Sequence, residues 1–207
     1  MKFKEILPIA MIDNNSTLGY ECGVDEAGRG CIAGPVVVSS CILNPEIQSN
    51  ILLQDSKKLS ETQREEAYQW IIENALEYHI IFVDNNIIDK INILQATYLG
   101  MNISINQIQN KLQHIIIDGN RFQWNDEINA NKKNIPFDCI VKGDSKYGNI
   151  AAASILAKVS RDRYMLTIAD KYPRYFIDKN KGYPTPEHKE IVKEYGWRPY
   201  HRKTFNI

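Results

Sequence analysis

Apolar positions along the chain follow two rhythms. Short, nearly continuous runs rich in β-branched residues occur at 20–25, 35–43, 79–83, 114–120 and 135–141, and each predicts a strand. The run HIIIDGN (114–120) carries three consecutive isoleucines, as suits a central strand buried on both faces. Three- and four-residue spacing replaces this pattern elsewhere. Ser60 followed by Gln63 fits a capping box, with Tyr68, Ile71, Ile72, Ala75 and Leu76 on one helical face behind it. Residues 87–112 place Ile91, Leu94, Tyr98, Met101, Ile105 and Ile108 at helical steps and predict one or two helices. Residues 149–171 predict an alanine-rich helix with Ile150, Ser154, Ala157, Arg161, Tyr164 and Ile168 on one side, ended by Pro173. A last helix is framed by Thr185 as cap, Pro186 at its first position and Gly196 beyond its end. Five strands with helices between and after them predict an α/β or α+β sheet protein.

The totals fit one domain over residues 1–207, with about 172–207 as its helical C-terminal part. Composition is that of an ordinary soluble protein, and no stretch approaches the roughly 18 apolar residues of a membrane span. Cys22, Cys31, Cys41 and Cys139 form no CxxC pair, so buried thiols in a reducing compartment, the cytoplasm, are expected. Net charge is zero, yet residues 142–207 carry 14 Lys and Arg against 7 Asp and Glu. That asymmetry is compatible with a basic binding face beside an acidic site.

The chemistry gathers in YECGVDEAGRGCIAGPVVV (20–38), where Asp25 and Glu26 end a strand and Gly28, Arg29, Gly30 and Gly34 follow. Carboxylates at a strand end attract a hard cation, glycines admit a close ligand, and an arginine offers a fork for phosphate. An acidic turn before a Gly-rich hairpin is the plainer alternative. Two further strand runs also end in acids, Asp118 and Asp144. Gathered at one sheet edge, such acids would repel one another unless divalent cations intervened. Adjacent strand residues point to opposite faces, so Glu26 would serve through its main chain, through a second metal, or not at all. Asp162 lies roughly 20 Å along its helix, too far to join, and a surface salt bridge with Arg161 or Arg163 is expected for it. Lys57 and Lys58, just before a helix, could hold phosphate or simply face water. Arg198, Arg202, Lys203, Lys179 and Lys181 are expected to face a nucleic-acid backbone; His188 and His201 could be phosphate contacts or ordinary polar residues, and the second reading is preferred.

GVDEAGRGCIAGPV, DSKKLS, IIIDGN, VKGDSKYGNIAAASILAKVSRD, NKGYPTPEH and YHRKTF, in that order over residues 22–205, closely resemble the ribonuclease HII family. Ribonuclease HIII looks similar but usually has serine where this chain has Ala27. The resemblance implies a ribonuclease H-like fold: a five-stranded mixed sheet flanked by helices, with a helical C-terminal extension. It implies an endonuclease acting on the RNA strand of RNA/DNA hybrids and on the 5′ side of single ribonucleotides in duplex DNA, leaving 3′-hydroxyl and 5′-phosphate ends. Asp25, Glu26, Asp118 and Asp144 would be the catalytic, metal-binding acids, holding Mg²⁺ or Mn²⁺, two ions per site. Gly28, Arg29 and Gly30 would form the ribose-sensing loop, and Tyr183 would stack on the neighbouring sugar. A monomer is expected. The rival readings are a related metal-dependent nuclease acting on DNA and a non-catalytic module that senses hybrids.

Overall fold

The computed structural model describes residues 7–11, 19–46 and 53–206. Its sheet contains β1 (Tyr20–Ala27), β2 (Val36–Leu43), β3 (Ala75–Val83), β4 (Leu112–Asp118) and β5 (Phe137–Ile140), ordered β3-β2-β1-β4-β5. β2 is antiparallel to both β1 and β3, whereas β1, β4 and β5 run parallel. The expected mixed sheet is therefore present, and its parallel half brings three strand C-termini to one edge.

Helices α1 (Glu61–Asn74) and α3 (Gly148–Lys171) cover one face, packing Tyr68, Ile71, Ala152 and Leu156 on Cys41 and Leu43. On the other face α2 (Asn85–Gln107) sets Tyr98, Met101 and Ile105 against Cys22, Val24, Ile115 and Ile117. Helices α4 (Ile177–Asn180) and α5 (Pro186–Tyr195) form the C-terminal part, with Ile177, Ile191 and Val192 joining Met165 and Ile168 of α3. Both predicted caps are made: Ser60 and Gln63 bond reciprocally, and Thr185 Oγ1 accepts from His188 N.

Several boundaries and faces differ from the expectation. Ala75 and Leu76 belong to β3, not to α1, because β2 pairs with that strand along its length, from Val36 opposite Val83 to Leu43 opposite Ala75. Ile91 and Leu94 are exposed. The cause is Asn92, whose φ of 66° breaks the helix; its Oδ1 then caps the second half by accepting from Leu94 N and Gln95 N. Tyr164 also points outward, and Cys139 is only half-buried, unlike the other three cysteines. Burying α3 depends on residues that periodicity does not mark. At Gly23 an added Cβ would lie 2.2 Å from the Asn149 carbonyl carbon, so β1 touches the backbone at the start of α3.

Asn149 itself is fully buried and joins three elements: its Oδ1 accepts from Leu43 N at 2.9 Å and its Nδ2 donates to Glu21 O at 2.8 Å. A second polar line, buried at Glu21 and His114 and reaching the surface at Asp138, crosses the parallel strands at their other end. There His114 lies 2.7 Å from Glu21 Oε2 and 3.0 Å from Asp138 Oδ2. Asn149→Ala would leave a buried donor and a buried acceptor unpaired. We expect a loss of about 3 kcal/mol and a fall in Tm of roughly 6–12 °C, measured by calorimetry.

Candidate active site

The parallel register assembles the acids. Val24 of β1 pairs with Ile117 of β4, so Asp25 and Asp118 are the next residues along two adjacent strands. Asp118 in turn pairs with Ile140 of β5. Beyond β5 the chain turns through Lys142, at a left-handed φ of 57°, into a 3-10 turn over Gly143–Ser145 that carries Asp144. Asp118 Oδ1 accepts from Gly143 N at 2.7 Å, which ties that turn to the end of β4. Asp25 and Asp144 are each 5% exposed. β1 continues to Ala27, so Glu26 does project to the face opposite Asp25, with Val24 and the α2 side. Its Oε1 is 3.1 Å from Arg29 Nη1, and its Oε2 is buried without a hydrogen-bond partner.

Burial and proximity hold Asp25, Glu26 and Asp144 away from their ordinary ionisation. Asp25 is raised well above the usual carboxylate range by burial and by the charges of Glu26 and Asp118, against the Ser154 hydroxyl and Glu26 N–H. Glu26 is raised by burial, which Arg29 partly offsets. Asp144 is pushed up to about 6 by burial, then by Asp55 and Asp118. Lys57 is the counter-charge. Burial disfavours its ammonium, but Asp25, Asp55, Asp144 and Asp118 outweigh that and hold it above the ordinary lysine range.

Among the described residues no three acids, histidines or cysteines already surround one point as a finished metal cluster. One oxygen each of Asp25, Glu26 and Asp118 is engaged by a neighbour. The donor set nevertheless fits a hard divalent cation. It is all carboxylate, it leaves a buried oxygen of Glu26 unpartnered, and its charges repel in a way that a divalent cation would relieve.

Beside the acids is a cleft of about 200 Å³ between Gly28–Gly30, Ser56–Lys57, Ser154 and Tyr183, with Glu26 at its edge. Tyr183 is 39% exposed, and Lys158 Nζ lies 5.7 Å from its ring centroid. Its turn is fixed from behind by buried imidazoles. His188 Nδ1 bonds Tyr183 O at 3.0 Å, and His188 Nε2 lies 3.2 Å from His201 Nε2. His201 Nδ1 accepts from Arg198 N, so the network is satisfied by two neutral rings, each donating through one nitrogen. Burial and the His188 neighbour lower His201 to about 4, in keeping with that. Lys58 is exposed and donates to Ser145 Oγ at 3.2 Å, next to Asp144.

Two sequence expectations need correction. Arg202 does not face outward: it is fully buried, and its guanidinium bonds main-chain carbonyls. Arg198, by contrast, stays exposed, with its Nε donating to Tyr175 Oη. Asp162 pairs at 2.8 Å with Lys158, not with its neighbouring arginines, because Arg161 turns into the core. Sequence reasoning also passed over Asp55 and Ser154. Asp55 stands in the quoted DSKKLS run and accepts from Lys57 N at 2.9 Å, a capping pattern that could have singled it out. Ser154 falls among the small residues of α3, where nothing but its place two turns past Gly148 distinguishes it.

Because its folded pKa is raised above that of a free carboxyl, the charged form of Asp144 opposes folding. The cost is absent below about pH 4, grows as pH rises through 6, and is complete above it. Asp144→Asn should therefore raise the Tm of metal-free protein by roughly 3 °C or more at pH 8 and leave it little changed at pH 4, as measured by differential scanning fluorimetry.

Comparison with known proteins agrees with the geometry. The family model described as Ribonuclease HII matches residues 22–207. A Ribonuclease HII of Bacteroides thetaiotaomicron is 47% identical over 188 residues, covering 90% of each chain. The solved ribonuclease H2 of Pyrococcus horikoshii superposes with a TM-score of 0.72 at 30% identity, over 90% of this chain and 93% of that one. The RNase HII solved in a PCNA:RNase HII complex from Archaeoglobus fulgidus gives a TM-score of 0.73 at 25% identity, over 91% and 96%. Among the described residues no helix is long and apolar enough to cross a membrane. With a ribonuclease H-like sheet, acids at its parallel edge and relatives of this closeness, the chain belongs to the ribonuclease HII family and is a ribonuclease H endonuclease.

Proposed function

We propose that this enzyme hydrolyses the RNA strand of RNA/DNA hybrids and cuts on the 5′ side of single ribonucleotides embedded in duplex DNA, leaving 3′-hydroxyl and 5′-phosphate ends. The observation that carries the reading is the meeting of Asp25 and Asp118 at in-register strand ends, with Asp144 tied to them through Gly143, beside a glycine-walled cleft.

Asp25, Asp118 and Asp144 would hold Mg²⁺ or Mn²⁺, and Glu26, on the other face of β1, would reach a second such ion through its unpartnered Oε2. Two such cations, when bound, would supply the Lewis acidity that activates water and stabilises the leaving 3′-oxygen of an in-line displacement. Everything else is the work of the chain. Lys57, held protonated by the surrounding acids, offers the scissile phosphate a positive charge. Main-chain groups of Gly28–Arg29–Gly30 and the Tyr183 hydroxyl meet the 2′-hydroxyl, the group that tells RNA from DNA at a single nucleotide. The Tyr183 ring offers its face to the adjacent sugar, kept in place by His188. The 2′-hydroxyl positions the substrate and does not attack. Exposed Lys58, Lys179 and Lys203 supply salt-sensitive contacts to the duplex backbone.

Asp118→Asn keeps the side chain's size and its acceptor for Gly143 N but removes the charge. Cleavage of a hybrid in Mg²⁺ should fall at least 1000-fold, an electrostatic loss on the order of 4 kcal/mol. Hybrid affinity and Tm should stay near those of the unaltered protein. Retained Mg²⁺-dependent turnover would sink the assignment.

A further inference from the structure

Arg161 and Arg202 are both fully buried, and all three guanidinium nitrogens of each donate to main-chain carbonyls. A guanidinium is costly to remove from water, and here five of the six bonds serve one short segment, residues 28–35. Arg161, from α3, reaches Ala33 O at 2.9 Å, Pro35 O at 3.0 Å and Lys181 O at 2.9 Å. Arg202, from the C-terminal tail, reaches Gly28 O at 2.7 Å, Arg29 O at 3.0 Å and Gly34 O at 2.9 Å.

The consequence for the loop follows from peptide geometry. None of the described peptide bonds is cis, so each carbonyl and the N–H that follows it point in opposite directions. With the carbonyls of Gly28 and Arg29 drawn inward to Arg202, the N–H groups of Arg29 and Gly30 face away from it, and residues 28–30 line the same cleft as Tyr183. Gly28 permits the turn with its φ of 92°, and a Cβ there would collide with Arg161 Nε at 2.0 Å. At Gly30 a Cβ would meet nothing within 4 Å, so the loop is open to an incoming sugar at that point.

We propose that Arg202 is a specificity-determining positioning residue. By gripping two carbonyls it fixes the direction of the Arg29 and Gly30 N–H groups, and these donate to the ribose 2′-oxygen. The inference rests on the reading of residues 28–30 as the ribose-sensing loop. A site with two aimed donors discriminates against deoxyribose because DNA leaves them unpaired. The grip is itself secured by the tail. Arg202 N donates to Ile32 O, Gly34 N to Tyr200 O, and the Phe205 ring lies 5.1 Å from the Arg202 guanidinium. Asp89 of α2 then anchors the tail, accepting from Lys203 N at 3.0 Å and from Thr204 N and Oγ1 at 3.1 and 2.7 Å.

The test uses the full chain with Arg202→Lys, which keeps a charge but cannot hold three carbonyls, and Asp89→Ala, which loosens the tail away from the cleft. Dissociation constants are measured in EDTA for an all-DNA duplex and for the same duplex with one ribonucleotide. Arg202→Lys should cut the ratio of the two at least fivefold, and Asp89→Ala about threefold, while all-DNA affinity stays within twofold. In Mg²⁺, Arg202→Lys should raise KM on the ribonucleotide duplex at least fivefold and change kcat less than threefold. If the unaltered protein binds both duplexes equally, the ribose-sensing reading fails and this one with it. If it discriminates and both folded variants keep the ratio, Arg202 has no such role. Should Arg202→Lys fail to fold, Asp89→Ala decides alone, and an unchanged ratio overturns the proposal.

Discussion

Like charges buried together need a counter-charge, and this constraint governs the edge of the sheet. Asp25, Asp118 and Asp144 arrive there because β1, β4 and β5 run parallel and end in step. Nothing in that geometry separates the charges. The fold answers with Lys57 from one side and Arg29 from another, plus an amide donor to each of Asp25 and Asp118. The answer is incomplete, since Asp25 and Asp144 remain raised and one oxygen of Glu26 remains unpartnered. An acidic edge left short of positive charge is poised for hard cations and, through them, for phosphate.

A second constraint acts on the loop beside the acids. Residues 28–35 have little side-chain bulk of their own, so their conformation is imposed from outside by two buried arginines, one on α3 and one on the tail. Chemistry and substrate choice thus rest on different supports. The acids depend on strand register, whereas the glycine loop depends on residues more than a hundred positions away along the chain.

That division explains how far the sequence could be read. The strands, the capping box at Ser60 and the Thr185–Gly196 helix were legible because local spacing and capping determine them. The convergence of Asp25, Asp118 and Asp144 was legible as an inference from acids at strand ends. Asn92 hid the true face of α2, because a single residue of left-handed backbone shifts the helical phase. Arg161 and Arg202 were misread for a different reason. Arginine is rarely buried without an acid, so composition directs it to the surface, and only the folded carbonyl arrangement shows why it goes inward here. Asp55 was overlooked because its role comes from a neighbour 89 residues on, Asp144.

The central claim is that the acidic edge, with divalent cations, cuts a phosphodiester at a position chosen by a ribose. Mapping the cleavage of duplex DNA containing one ribonucleotide, with Mg²⁺ and with EDTA, tests it most directly. The account predicts one Mg²⁺-dependent cut on the 5′ side of the ribonucleotide, with a 3′-hydroxyl on one fragment and a 5′-phosphate on the other. A cut on the 3′ side giving a 2′,3′-cyclic phosphate, or any cut that persists in EDTA, would contradict it.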